Sequence, residues 1–181
     1  MIESIARTAR PVLEFPIIRR TRRNHALEHA TIHMLTRRMG RLAMSGRSTD
    51  GGFVLFGAVD TSDVEEAAEE ALRRMQKGEQ SLALHPNCGT NLVTAGTLTT
   101  LAGVVGLRSG RTLTPDRLTW TMLLMVLSII VSQPLGMSLQ KHITTKGEPG
   151  NLEIVGVTRR EIKLPFSGAQ VVVHNVYTRF G

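Results

Sequence analysis

Two stretches of this chain carry no charged side chain at all: residues 92–107 (LVTAGTLTTLAGVVGL) and 118–139 (LTWTMLLMVLSIIVSQPLGMSL). A helix needs about 17–25 mainly apolar residues to cross the hydrocarbon of a bilayer. The second stretch meets that length, and the first, rich in Thr and Gly, falls just short of it. Between them lies a spacer with Arg108, Gly110, Arg111, Pro115 and Asp116, which suits a tight turn in the interface. Two neighbouring spans with such a spacer predict a transmembrane helical hairpin over residues 91–139. Ala95, Thr99 and Gly103 fall four apart, a small-residue face that lets helices approach closely. Pro134 is expected to kink the second span near its end.

Outside the hairpin the composition changes. Charges crowd into residues 1–90 and 141–181, with 22 Lys plus Arg against 15 Asp plus Glu in 181 residues. A basic excess suits nucleic acid or the anionic face of a membrane. The hairpin favours lipid, and the interleaving of aromatic with basic residues that marks RNA binding is missing, so nucleic acid is not expected. Cys88 is the one cysteine, which excludes an intrachain disulfide and a four-cysteine zinc cluster and fits a reducing compartment. Met1 to Arg23 holds no apolar core of signal-peptide length, so secretion by a cleaved signal is not expected. Residues 11–18 (PVLEFPII) are apolar but broken by Pro11 and Pro16, and Arg19, Arg20, Arg22 and Arg23 follow. Residues 1–23 therefore read as a basic segment on the membrane surface, its arginines reaching the headgroups, or else as a solvated tail.

The remainder predicts a small mixed α/β domain, of α+β class, interrupted by the hairpin. From Asn24 to Met39, Leu27, Ala30, Thr31, Met34 and Leu35 recur on one helix face, and Gly40 is placed to end the helix. Between Asn24 and Thr36 the only formal charge is Glu28, which marks a helix buried on most sides. Residues 41–47 predict a strand, Asp50-Gly51-Gly52 a turn, and Phe53 to Val59 a second strand. Ser62-Asp63-Val64-Glu65 reads as a capping box opening an amphipathic helix to about Lys77. A short strand from Ser81 to Leu84 would complete a β-α-β unit. Two more strands, about residues 152–164 and 169–178, are joined by Pro165-Phe166-Ser167-Gly168. Because an isolated hairpin is hardly stable in water, they are expected to complete the amino-terminal sheet. The expected organisation is a surface segment (1–23), an α/β domain (24–90), the hairpin (91–139) and the closing strands (140–181).

Chemistry concentrates in the run His25-Ala26-Leu27-Glu28-His29, which matches the His-x-x-Glu-His pattern of inverted zinc peptidases. Four residues is about one helical turn, so both imidazoles project from one side to hold zinc or another divalent metal. Glu28 lies within reach of a metal-bound water as general base. His33 sits about 12 Å along the axis from His25, too far to share one ion with His25 and His29, and reads as a supporting or core histidine. The third ligand is expected from His85-Pro86-Asn87-Cys88-Gly89-Thr90-Asn91, with His85 preferred over Cys88. The peptidase resemblance, which covers five residues, offers Glu66, Glu69 or Glu70 instead. Cys88 at a helix amino terminus also fits a nucleophilic thiolate. Asn87-Cys88-Gly89 equally suits a polar entry that satisfies free backbone N–H groups.

The run from Asn24 to His33, the run from His85 to Asn91, and Gln133-Pro134-Leu135-Gly136 together resemble a bacterial membrane-protein family defined by a domain of unknown function. The resemblance covers most of the chain and implies a membrane topology without an activity. Three readings follow: a membrane-associated metal-dependent hydrolase, a non-enzymatic membrane scaffold or assembly factor braced by buried polar residues, and a cysteine enzyme. The expected partners are the lipid bilayer, anionic headgroups, and a second copy or another membrane protein. The expected location is the bacterial inner membrane with both termini cytoplasmic. Arg108, Arg111 and Arg117 in the spacer oppose that orientation, whereas Arg73, Arg74, Lys77, Lys141 and Lys146 favour it.

Overall fold

A computed structural model describes residues 1–40, 43–108, 112, 114–163, 168 and 170–180. The chain divides into two compact units, Met1–His85 with Lys141–Gly181, and Pro86–Gln140. The fold is mixed α/β with an antiparallel sheet, as the sequence predicts, and two of its helices are long and apolar enough to cross a membrane.

In the first unit three helices precede the sheet: α1 (Ile2–Thr8), α2 (Arg10–Leu13) and α3 (Pro16–Met39). Helix α3 begins eight residues before the expected start at Asn24. Pro16 does not break it because proline is tolerated in the first helical turn, where its missing N–H has no partner to lose. Arg19, Arg20, Arg22 and Arg23 therefore lie on the helix that carries the histidines. The hairpin β1 (Ser45–Thr49) and β2 (Gly52–Phe56) follows, displaced toward the carboxy terminus from the first expected strand and shorter than the second. Residues 41 and 42, part of that expected first strand, lie outside the described residues. Gly52 has φ +145° and faces the Val176 carbonyl so closely that no Cβ fits, so the turn into β2 requires glycine.

Helix α4 (Thr61–Gln76) has its N-cap at Asp60, two residues before the expected capping box, and no side chain caps it. The expected strand from Ser81 to Leu84 is instead a 3-10 turn, Gln80–Ala83. Its Leu82 and Ala83 bury into the core, and both sides of the central strand β2 are already taken, by β1 and β4. Among the described residues there is accordingly no β-α-β unit. The sheet order is β1-β2-β4-β3, with β3 (Leu152–Lys163) and β4 (Gln170–Phe180) from the carboxy terminus and every pair antiparallel. The expected turn at residues 165–168 falls mostly outside the described residues. Helices α3 and α4 cover one face of the sheet, and the core between them holds Leu27, Ala30, Met34, Leu35, Phe53, Leu55, Val64, Leu72, Met75, Leu152 and Val176. Burial of that apolar surface is the main force holding the layers together.

The second unit is a pair of helices, α5 (Gly89–Arg108) and α6 (Pro115–Leu139), each longer than the uncharged stretch at its centre. Residues 109–111 and 113 of the expected turn lie outside the described residues. Only 11% of the apolar stretch of either helix is buried. Val93 is 70% exposed and Trp120 67%, and Leu92, Val105, Met122 and Ile130 stand out with them. A soluble core helix would hide these side chains, whereas a lipid-facing helix leaves them outside. The two helices meet through small residues: Gly106 faces Thr121 with no room for a Cβ, and Gly136 packs on Asn91. At the base of the pair Gln140 donates its amide to Asn91 Oδ1 at 2.8 Å, and Asn91 donates to the Pro86 carbonyl at 2.6 Å. Helix α6 runs on through one π-helical turn, Gln140–Thr144, into the first unit.

Candidate metal centre

Helix α3 positions His25, His29 and His33 on one stripe because they recur every four residues, about one turn apart. His29 is 2% exposed, and the rings of His25 and His29 lie 4.4 Å apart, centroid to centroid. His85, just after the 3-10 turn, brings its ring to 5.7 Å from His29 and 5.0 Å from His33. Four imidazoles thus form one continuous cluster within the first unit.

Backbone carbonyls orient three of these rings. His25 Nδ1 lies 3.0 Å from the Thr144 oxygen, His29 Nδ1 2.7 Å from Ala83, and His33 Nε2 2.8 Å from Leu84. A carbonyl only accepts, so each of these nitrogens carries the proton and donates it. In the neutral ring the other nitrogen then holds the lone pair: Nε2 in His25 and His29, Nδ1 in His33. Metal-binding histidines are commonly held in this way, with one ring N–H tied to a carbonyl. Burial, followed by the neighbouring His29 and His33, pushes His85 down to about 4. It is therefore neutral, and able to act as a ligand, at physiological pH.

Glu28 leaves α3 toward β1. It is 4% exposed, its carboxylate accepts a short hydrogen bond from the Ser48 hydroxyl, and Gly46 packs directly against it. Burial raises its pKa above the usual carboxylate range, while the Ser48 bond and nearby His25 oppose the shift. A buried carboxyl poised in this way suits proton transfer. Asn24 is satisfied throughout: its amide donates to the Thr49 and Asp50 carbonyls, and its oxygen accepts from Thr178.

The acidic candidates of α4 have other partners. Arg38 binds Glu66 at 2.9 Å and Glu70 at 2.6 Å, and Arg73 pairs with Glu69 at 3.6 Å. Arg38 sits thirteen residues beyond His25, about 20 Å along the helix. Cys88 and Asn87 belong to the second unit. There the buried Cys88 sulfur accepts from the Thr90 amide at 3.4 Å, and Asn87 is exposed. Sequence reasoning missed Ser48, Gly46 and the carbonyls of Ala83, Leu84 and Thr144. Carbonyls leave no residue-type signal, and Ser48 becomes relevant only once β1 folds against α3.

Comparison with known proteins places the chain without assigning a reaction. No solved structure matches it. An uncharacterized protein of Picosynechococcus sp. is 43% identical over 94 residues, which cover 47% of this chain and 45% of the relative. The chain thus spans less than half of that relative's length. The match to a family model extends over residues 20–157, from the second turn of α3 through the histidine cluster and both long apolar helices into β3. The chain therefore belongs to the family defined by a domain of unknown function, DUF6391.

Proposed function

We propose that this protein is a metal-dependent hydrolase of the bacterial inner membrane, with His25 and His29 as ligands and Glu28 as general base. The observation that carries this reading is the pair of Nδ1–H bonds to Thr144 and Ala83, which directs the lone pair of each neighbouring imidazole through Nε2. His85 is the preferred third ligand. Cys88, three residues further on and tethered within about 11 Å by the chain, is the second candidate, and a His/Cys donor set suits zinc. A bound ion would acidify a water and polarise a scissile carbonyl, and Glu28 would take up the proton. His85 precedes α5 by four residues and Thr144 follows α6 by five, so chain connectivity keeps the cluster near the membrane boundary.

Elemental analysis of protein purified without chelators tests this reading. His25→Ala and His29→Ala should each abolish stoichiometric metal. Glu28→Gln should keep the metal while removing hydrolysis, and His85→Ala should weaken binding more than Cys88→Ser. Wild-type protein that stays metal-free after refilling with zinc, iron or manganese would overturn it. The saturated bonding of Asn24 and the Glu28–Ser48 pair favours a second reading, a membrane scaffold in which these groups only brace α3. That reading predicts no metal and lower stability for the variants through unsatisfied buried partners.

A further inference from the structure

The amino-terminal helices and the segment after α6 line an open surface pocket of about 260 Å³ that the histidine cluster does not use. Its walls carry Arg7, Arg10, Arg22 and His142, with Glu3 and Glu14. The Glu14 carboxylate is already engaged: Lys146 Nζ lies 2.7 and 2.8 Å from its oxygens, and Arg22 lies 3.8 Å away. Arg7 is 3.5 Å from Glu3. With Lys146 included, the four cations Arg7, Arg10, Arg22 and Lys146 face the two carboxylates Glu3 and Glu14, a surplus of two positive charges.

Arg22 forms the rigid floor. It is 9% exposed, and its terminal nitrogens donate to the carbonyls of Leu13, His142 and Thr145, while its buried Nε has no partner among the described residues. Arg7 and Arg10 are exposed and can reach a ligand. Guanidinium groups match phosphate oxygens in both geometry and charge. The position of the pocket indicates where such a phosphate comes from. His142 lies three residues beyond Leu139, the end of α6, so this wall sits by chain connectivity at the end of the membrane-spanning segment. Ile5, Val12 and Ile17 are exposed on the same amino-terminal helices, with Phe15 exposed between α2 and α3, the pattern of helices resting in the headgroup layer.

We propose that this pocket receives the phosphodiester of an anionic lipid headgroup, with Arg7 and Arg10 gripping the phosphate above the fixed guanidinium of Arg22. The inference is independent of the metal centre. Calorimetric titration of the full-length protein in detergent micelles tests it, with dihexanoyl phosphatidylglycerol, dihexanoyl phosphatidylcholine and inorganic phosphate as probes. The phosphatidylglycerol should bind saturably, and the zwitterionic lipid roughly tenfold more weakly. Arg7→Gln with Arg10→Gln should weaken phosphatidylglycerol about fivefold or more. The control pair Arg160→Gln with Lys163→Gln removes the same charge from exposed positions on β3 and should leave binding unchanged. Unaltered binding in the first pair, or an equal loss in the control pair, would overturn the site. Inorganic phosphate binding as tightly as the lipid would assign the pocket to a soluble anion and overturn the lipid source.

Discussion

Gly46 determines how much room Glu28 has. A Cβ at Gly46 would stand 2.6 Å from the carboxyl carbon of Glu28 and 2.9 Å from its Cγ, so the side chain would have to move. Gly46→Ala should cost about 1–3 kcal/mol, the usual range for overpacking a filled site, read from denaturant unfolding. Destabilisation below a few tenths would show that Glu28 swings freely. His174 provides a second test at this scale. It is fully buried on β4, with Thr61 Oγ1 3.4 Å from its Nε2, and burial, then Arg159, depresses its pKa while Asp60 opposes them. The unfolded chain takes up this proton near 6.5, whereas the folded chain resists it. The stability from neutral His174 is thus complete above that pH and declines as pH falls below it. His174→Gln should flatten the loss of stability as the pH falls below about 6.5, relative to wild type. An unchanged slope would remove His174 as a source of acid sensitivity.

Among the elements, the helical pair depends on polar contacts at its base. Asn91→Ala removes the acceptor of the Gln140 amide and the side chain on which Gly136 packs. The expected cost is about 1–2 kcal/mol, the range for interhelical hydrogen bonds in membranes, read as lowered resistance to denaturation in detergent. The direction of the proposed insertion is a separate question, because arginines stand on both sides of the two long apolar helices. Reporters inserted after Thr112 and fused to the carboxy terminus should report the outside and the cytoplasm respectively. A cytoplasmic signal at Thr112 would reverse the proposed orientation.

For the whole molecule, the order of strands matters more than their number. Strand β4 lies inside the sheet, pairing β2 on one side and β3 on the other, although more than a hundred residues separate it from β2. Deleting residues 150–181 strips β2 of a neighbour and removes Leu152 and Val176 from the core. The amino-terminal part should then lose its protease resistance, as an unpaired apolar strand edge is exposed. Unchanged resistance in residues 24–90 would show that α3, α4 and the first hairpin fold without the carboxy-terminal strands.

Periodicity and hydropathy were enough to identify the two long apolar helices, the histidine stripe and, with shifted bounds, the four strands of the sheet, because each depends on side chains close together in sequence. Helix α3 was legible in its middle but not at its start, since Pro16 serves equally to begin a helix or to interrupt a tail. The segment 81–84 has strand-forming spacing and still became a 3-10 turn, because the places beside β2 went to β1 and β4. The metal-centre candidates were half visible: His25, Glu28 and His29 are local, and their spacing alone puts them on one helix. Which ring nitrogen carries the proton, and that Ser48 bonds Glu28, were decided by contacts with Thr144, Ala83 and β1. Those partners lie 20 to 119 residues away along the chain, and only tertiary packing brings them together.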